Sequence, residues 1–155
     1  MSTSKALFSL LLSTLIILLV ISSATAAADV KATTAHDELN KLGFPNGLLP
    51  PIVTSYHLNR TSGDFYVLLG ENCKVTLPPD NYLATYNKKI SGKIAENRIA
   101  ELNGISVRAF FKWWSITGIK ASGDNLVFEV GGISAKYPSK NFDESPQCEG
   151  SKASS

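Results

Sequence analysis

The side chains able to do chemistry are few and scattered. His36 and His57 are the two histidines, and Cys73 and Cys148 are the two cysteines. Neither cysteine lies in a C-x-x-C, and no serine stands in a G-x-S-x-G setting. A histidine-dependent hydrolase would need one of those two imidazoles beside a nucleophile brought in by the fold. A glycosidase would need two thinly spread carboxylates to face each other across a cleft. No spacing suits zinc or calcium, and no glycine loop suits a phosphate. The residues therefore assign no catalytic set, metal or cofactor. They favour a binding module over an enzyme, with a hydrolase as the alternative.

One stretch stands apart. "VRAFFKWWSI", residues 107–116, holds four aromatic rings and two cations. In an extended strand, side chains alternate between faces. Ile105, Val107, Ala109, Phe111 and Trp113 then form a uniformly apolar face, and Ser106, Arg108, Phe110, Lys112 and Trp114 form the opposite one. The second face has three readings: a surface covered by another layer, the wall of a ligand cavity, or an interfacial patch with wet cations. Helical spacing of Val107, Phe110, Phe111 and Trp114 is a further alternative, disfavoured by the β-branched and aromatic enrichment. The candidate ligand-binding residues are Arg108, Phe110, Phe111, Lys112, Trp113 and Trp114. Phe111 and Trp113 are expected to line a cavity, with Arg108 and Lys112 at its mouth. Trp113 is expected indoors and Trp114 outdoors.

The elements that position these residues follow a leader. Lys5 precedes the apolar run Ala6–Ile21, and Ala24-Thr25-Ala26 has the form signal peptidase accepts. The run is 16 residues long, short of the roughly 20 that span a membrane. Residues 1–26 are predicted to be a cleaved secretory signal. Removing 26 of 155 residues leaves 129, enough for one domain with a real core. Of 15 Lys and Arg only Lys5 is lost, so 14 oppose 13 Asp and Glu, a net charge of +1. So balanced a chain is not expected to bind nucleic acid. Any membrane contact has to be local. An oxidising compartment predicts a Cys73–Cys148 disulfide, and gives meaning to the lone sequon Asn59-Arg60-Thr61 as a glycosylation site. The expected destination is the extracellular space, with a vacuolar route open, and nothing in the sequence sets an oligomeric state.

After the leader, "TTAHDELNKLG" predicts a short helix capped by Thr33 or Thr34 and stopped at Gly43. A rigid connector, "FPNGLLPP", follows. The rest reads as β-structure: "IVTSYHLN", "DFYVLLG", "CKVTLP", "NYLATYN", "ISGKIAE", "NRIAELN", "ISVRAFFKWWSI", "NLVFEVG" and "ISAKYP". Turns are predicted at Pro78-Pro79-Asp80, Asn103-Gly104, Ser122-Gly123-Asp124 and Gly131-Gly132. The fold class is mainly β: a single-domain antiparallel β-barrel or strongly curled sheet with one short N-terminal helix. The domain is expected over residues 33–148, with a flexible tail over 149–155. Alternation in "IVTSYHLN" puts His57 on the same face as Asn59, so a glycosylated Asn59 would leave His57 in water.

Several motifs together carry a family resemblance. They are the G-x-P-x-G-L-L-P connector (Gly43, Pro45, Gly47, Leu48, Leu49, Pro50) and the I-x-G-K element (Ile90, Gly92, Lys93). With them come the F-x-V-G segment (Phe128, Val130, Gly131), the late Cys148 and the aromatic strand with Phe110, Phe111 and Trp113. From about Thr33 to Cys148 the chain resembles the plant family called domain of unknown function 538; Trp114 is an addition to its usual pattern. The resemblance implies a small, secreted, single-domain β-protein with a proposed similarity to the lipid-binding domains of bactericidal/permeability-increasing protein. It also implies a link to stress responses and partners such as lipid, lipopolysaccharide or chlorophyll, with esterase-like hydrolysis of lipid or pigment esters as the alternative. It supplies no catalytic set. The expected partner is an apolar or amphipathic small molecule, with a membrane surface or cell-wall glycan as further possibilities.

Overall fold

The computed structural model describes residues 33–150. The signal peptide expected over 1–26, and the tail beyond Gly150, lie outside the described residues. Among those described, no helix is long and apolar enough to cross a membrane.

The chain opens with helix α1, Ala35–Lys41. Thr34 caps it: its hydroxyl accepts from the Asp37 N–H at 3.1 Å, and the Asp37 carboxylate accepts from the Thr34 N–H at 2.9 Å. Its end is a Schellman motif, in which Phe44 N–H donates to Leu39 and Gly43 N–H to Asn40. Gly43 takes φ +89°, which a side chain would resist. The predicted stop is therefore where the sequence places it.

Eight strands follow: β1 Val53–Leu58, β2 Asp64–Leu69, β3 Cys73–Leu77, β4 Tyr82–Ala95, β5 Arg98–Ala109, β6 Lys112–Ser122, β7 Asn125–Val130 and β8 Ile133–Pro138. All pair antiparallel in one sheet, ordered β1-β2-β4-β5-β6-β7-β8, with β3 also on β4. Among the described residues the fold is thus mainly β, with one short α-helix near their start. The sheet is strongly curled, and β1 and β8 remain unpaired with each other, so it stops short of a hydrogen-bonded barrel.

Two predicted pairs of short strands are single long strands. "NYLATYN" and "ISGKIAE" merge into β4, whose first half pairs with β3 and whose second half pairs with β2. Between these halves the Lys88 N–H donates to the Asn72 side chain at 2.7 Å, fixing the corner. "NRIAELN" joins "ISVRA" as β5. The turn predicted at Asn103-Gly104 is instead a bulge: from Tyr86↔Ile105 to Ser91↔Asn103, β4 advances five residues while β5 advances two. The excess chain bends the sheet. Gly104 adopts φ +103°, and a Cβ there would lie 2.5 Å from the Lys89 carbonyl. A glycine that reads as a turn serves here as a close approach between strands.

The core fills the inside of the curl with Leu69, Val75, Ile90 and Leu126, and α1 with its connector closes one end through Leu39, Phe44, Leu48 and Leu49. Gly47 in the connector lies so close to the Phe142 and Glu144 carbonyls that any side chain would collide with them. The disulfide Cys73–Cys148 links β3 to the C-terminal segment. Beside it, Glu149 N–H donates to the Lys74 carbonyl at 2.7 Å, and the Thr76 hydroxyl to the Glu149 carboxylate at 2.8 Å. Glu149, expected in the flexible tail, is therefore held against the β3 edge.

A polar clasp joins the helix to the β1–β2 turn. The Glu38 carboxylate is almost wholly buried and accepts from Arg60 at 2.8 Å, with Lys41 at 3.5 Å. The Arg60 hydrogen bond holds the Glu38 carboxyl below its ordinary value, against the opposing effect of burial.

Two measurements test this framework. The sequence separation across the disulfide is 75 residues. In the chain-entropy account, replacing both cysteines by serine lowers the unfolding free energy by about 4 kcal/mol, read from urea denaturation. A native-state carboxyl lowered from 4.5 stabilises fully above that value and loses the contribution as pH falls through the lower folded value. Glu38→Gln is therefore expected to denature earlier than wild type at pH 7, and the gap is expected to shrink in acid.

Candidate functional site

The aromatic stretch is a hairpin tip, not one strand. Ala109 pairs with Lys112, leaving Phe110 and Phe111 as a two-residue turn between β5 and β6. Both take positive φ, 50° and 63°. Up to Ala109 the predicted alternation holds: Ile105 is buried and Val107 half-buried, while Arg108 is exposed. A two-residue turn then reverses the parity, because the residues flanking it face the same side. Trp114 sits opposite Val107 and Trp113 opposite Arg108.

The expected directions of the tryptophans are thus interchanged. Trp113 is exposed and Trp114 is half-buried. Phe111, expected in a cavity wall, is 96% exposed at the tip. The physical reason is the unforeseen reversal at two residues that seldom make such a turn.

Trp114 acts as a brace. Its indole N–H donates to the Ala109 carbonyl at 3.1 Å, tying the base of the tip. Its ring lies against Gly131 in the β7–β8 turn, where a Cβ would fall 2.5 Å from the indole. Gly131 also needs φ +56°.

Behind the tip lies an apolar cavity of about 230 Å³. Val107, Ala109 and Phe110 form one wall; Phe128 and Val130 from β7, with Ile133 and Tyr137 from β8, form another. Leu77, Pro78 and Tyr82 close it from the β3–β4 connection. The cavity occupies the gap where the curled sheet brings β8 toward β4 without pairing. Of the predicted binding residues, Phe110 lines this cavity; Phe111, Trp113, Trp114, Arg108 and Lys112 are not among its lining. Burial pushes the Tyr137 phenol above its ordinary value, with Tyr82 and Asp80 adding to the shift.

A second cavity, of about 60 Å³, lies under α1 among Leu39, Leu42, Ile90, Leu102 and Ile119. It is about a quarter the size of the first, and His57 and Leu58 of β1 are also in its lining.

The groups weighed for hydrolysis are engaged elsewhere. His36 Nε2 contacts the Leu49 carbonyl at 3.2 Å, tying α1 to the connector. His57 is exposed, as its alternation with Asn59 predicts, and stacks on Tyr66 with ring centres 5.5 Å apart. Among the described residues, neither imidazole is bonded to a hydroxyl or carboxylate, and no cluster of His, Cys, Asp or Glu could hold a metal ion. Asn59 is exposed, and its side-chain oxygen accepts from the Thr61 and Ser62 N–H groups at 2.9 and 3.1 Å.

Sequence reasoning missed the β7 and β8 contribution. Phe128 and Val130, and then Ile133, Ala135 and Tyr137, alternate cleanly enough to reveal their faces. Nothing in the chain says that these faces meet Leu77 and Tyr82.

The molecule is thus a small curled antiparallel sheet with an apolar cavity opening beside an aromatic hairpin. The chain belongs to the family described as protein of unknown function, DUF538, whose model matches residues 35–143. No curated protein and no solved structure matches it. Gly47 and Gly92, from the motifs that carried the resemblance, sit at close backbone approaches, where Gly92 would place a Cβ 2.9 Å from the Ala100 carbonyl. Those motifs serve packing.

The brace is testable. Gly131→Ala introduces a side chain at a left-handed residue and against the indole, so it is expected to lower stability by at least ~1 kcal/mol. Trp114→Phe keeps most of the packing but loses the hydrogen bond, costing about 1 kcal/mol. Thermal denaturation followed by near-ultraviolet circular dichroism reads both.

Proposed function

We propose that the protein is an exported, non-enzymatic binder of one apolar or amphipathic chain, such as an acyl lipid or the isoprenoid tail of a pigment. The observation that carries this is the apolar cavity behind the hairpin tip, about 230 Å³ in volume. That volume is of the order of the ~150 Å³ that takes one benzene ring and below the roughly 300–1,000 Å³ of drug-sized sites. It suits a single hydrocarbon segment rather than a two-tailed lipid or a whole pigment macrocycle. The Tyr82 and Tyr137 side chains give the otherwise apolar lining a polar edge for a head group.

Export is supported by the disulfide, which persists in oxidising compartments. Glycosylation at Asn59 fits its exposed position at the β1–β2 turn. A hydrolase receives less support, because His36 and His57 are occupied by structural contacts.

The test is titration of the protein with a naphthalene-sulfonate dye, followed by displacement with fatty acids and isoprenoid alcohols. Saturable binding is expected in the wild type. Ala135→Trp fills the cavity from β8 and is expected to weaken binding at least tenfold while the far-ultraviolet spectrum is unchanged. Equal binding by this variant and the wild type would remove the cavity as the site.

A further inference from the structure

The β5–β6 turn puts bulky rings where the backbone least favours them. A two-residue hairpin of type I′ requires positive φ at both central positions, which Asn-Gly supplies readily. Here the positions are Phe110 at 50° and Phe111 at 63°, a conformation strained for residues with full side chains. The exposed rings gain little in return within the fold: Phe110 is 83% and Phe111 96% exposed. A protein is not expected to hold two phenyl rings in water on a strained turn unless the rings meet something there.

The surroundings say what. Trp113 is 48% exposed and Ile133, the first residue of β8 beside the β7–β8 turn, is 65% exposed. Phe110 and Ile133 also line the cavity, so the apolar patch runs into its mouth. Arg108 and Lys112 flank the patch and are exposed. Among the described residues neither is in an ion pair. A convex apolar tip between unpaired cations is complementary to an anionic lipid surface, where rings enter the headgroup–acyl boundary and cations meet phosphates.

We propose that this end of the molecule docks on an anionic lipid bilayer. Phe110, Phe111, Trp113 and Ile133 enter the interface, Arg108 and Lys112 face the lipid phosphates, and the cavity mouth opens toward the acyl chains. The proposal deepens the ligand-binding reading by naming where the ligand is collected, yet docking itself needs only the tip.

The experiment is flotation of the mature chain with phosphatidylcholine vesicles, with and without phosphatidylserine. Binding is expected with phosphatidylserine and is expected to weaken as salt rises. Arg108→Ser and Lys112→Ser each reduce it about fivefold at low salt. Phe111→Gly and Trp113→Ser leave the cavity lining intact and each reduce it about tenfold or more, while naphthalene-sulfonate binding stays at the wild-type level. The double variant Phe110→Asn/Phe111→Gly installs a favoured turn. It is expected to raise the thermal midpoint while abolishing vesicle binding, an opposition that a structural role for the rings does not produce. Docking is overturned if the wild type floats with neither vesicle or if the tip variants float like the wild type. It is also overturned if the tip proves to join two copies of the chain, seen as a dimer that Phe111→Gly dissociates without vesicle binding. Loss of dye binding with intact flotation would instead defeat the cavity reading and leave docking standing.

Discussion

The bend in the two longest strands is the constraint on which the rest of the structure depends. β4 and β5 are too long to lie in one flat sheet without exposing both faces. Unequal advance along the two strands between Tyr86↔Ile105 and Ser91↔Asn103 curls them instead. The curl is possible because Gly104 lets the Lys89 carbonyl approach its α-carbon. On one side of the bend, α1 and its connector seal the core. On the other, among the described residues, no α-helix covers the sheet, and β8 approaches β4 without pairing. The apolar cavity behind the tip is the space left by that incomplete closure.

The disulfide and the tail strengthen the open side without filling it. Cys148 and Glu149 lie along the β3 edge, so an exposed strand edge is partly satisfied by the chain's own end. The clasp of Glu38 and Arg60 plays a corresponding part on the sealed side, joining the helix to the β1–β2 turn. The two fastenings sit away from the hairpin tip. The tip is held mainly by its own strands and by the Trp114 brace, which spans from the Ala109 carbonyl to Gly131. Its exposed rings can therefore meet a partner without the core being disturbed.

Much of the fold was legible in the chain. The capped helix, the glycine stop, the turns at Ser122-Gly123-Asp124 and Gly131-Gly132 and the antiparallel β-class all follow from local chemistry. The cysteine pairing followed from there being two of them and from the oxidising compartment that the leader led one to expect. The site was legible only in part. Alternation placed Ile105, Val107 and Ala109 correctly, then failed at Phe110. Turn propensity is read from Gly, Asn, Asp and Pro, and a Phe-Phe turn carries none of these. The same rule misread Gly104, whose role is to admit a neighbouring strand.

By itself the sequence determined what short-range physics controls: where the helix starts and stops, which residues alternate within a strand, and which groups are available for chemistry. The tertiary structure alone decided which faces meet. Pairing across distant strands depends on register and bend, and a single reversal at Phe110–Phe111 interchanged the two tryptophans. It also placed Leu77, Tyr82, Phe128 and Tyr137 around one cavity, because enclosure is a property of surfaces brought together and not of any segment.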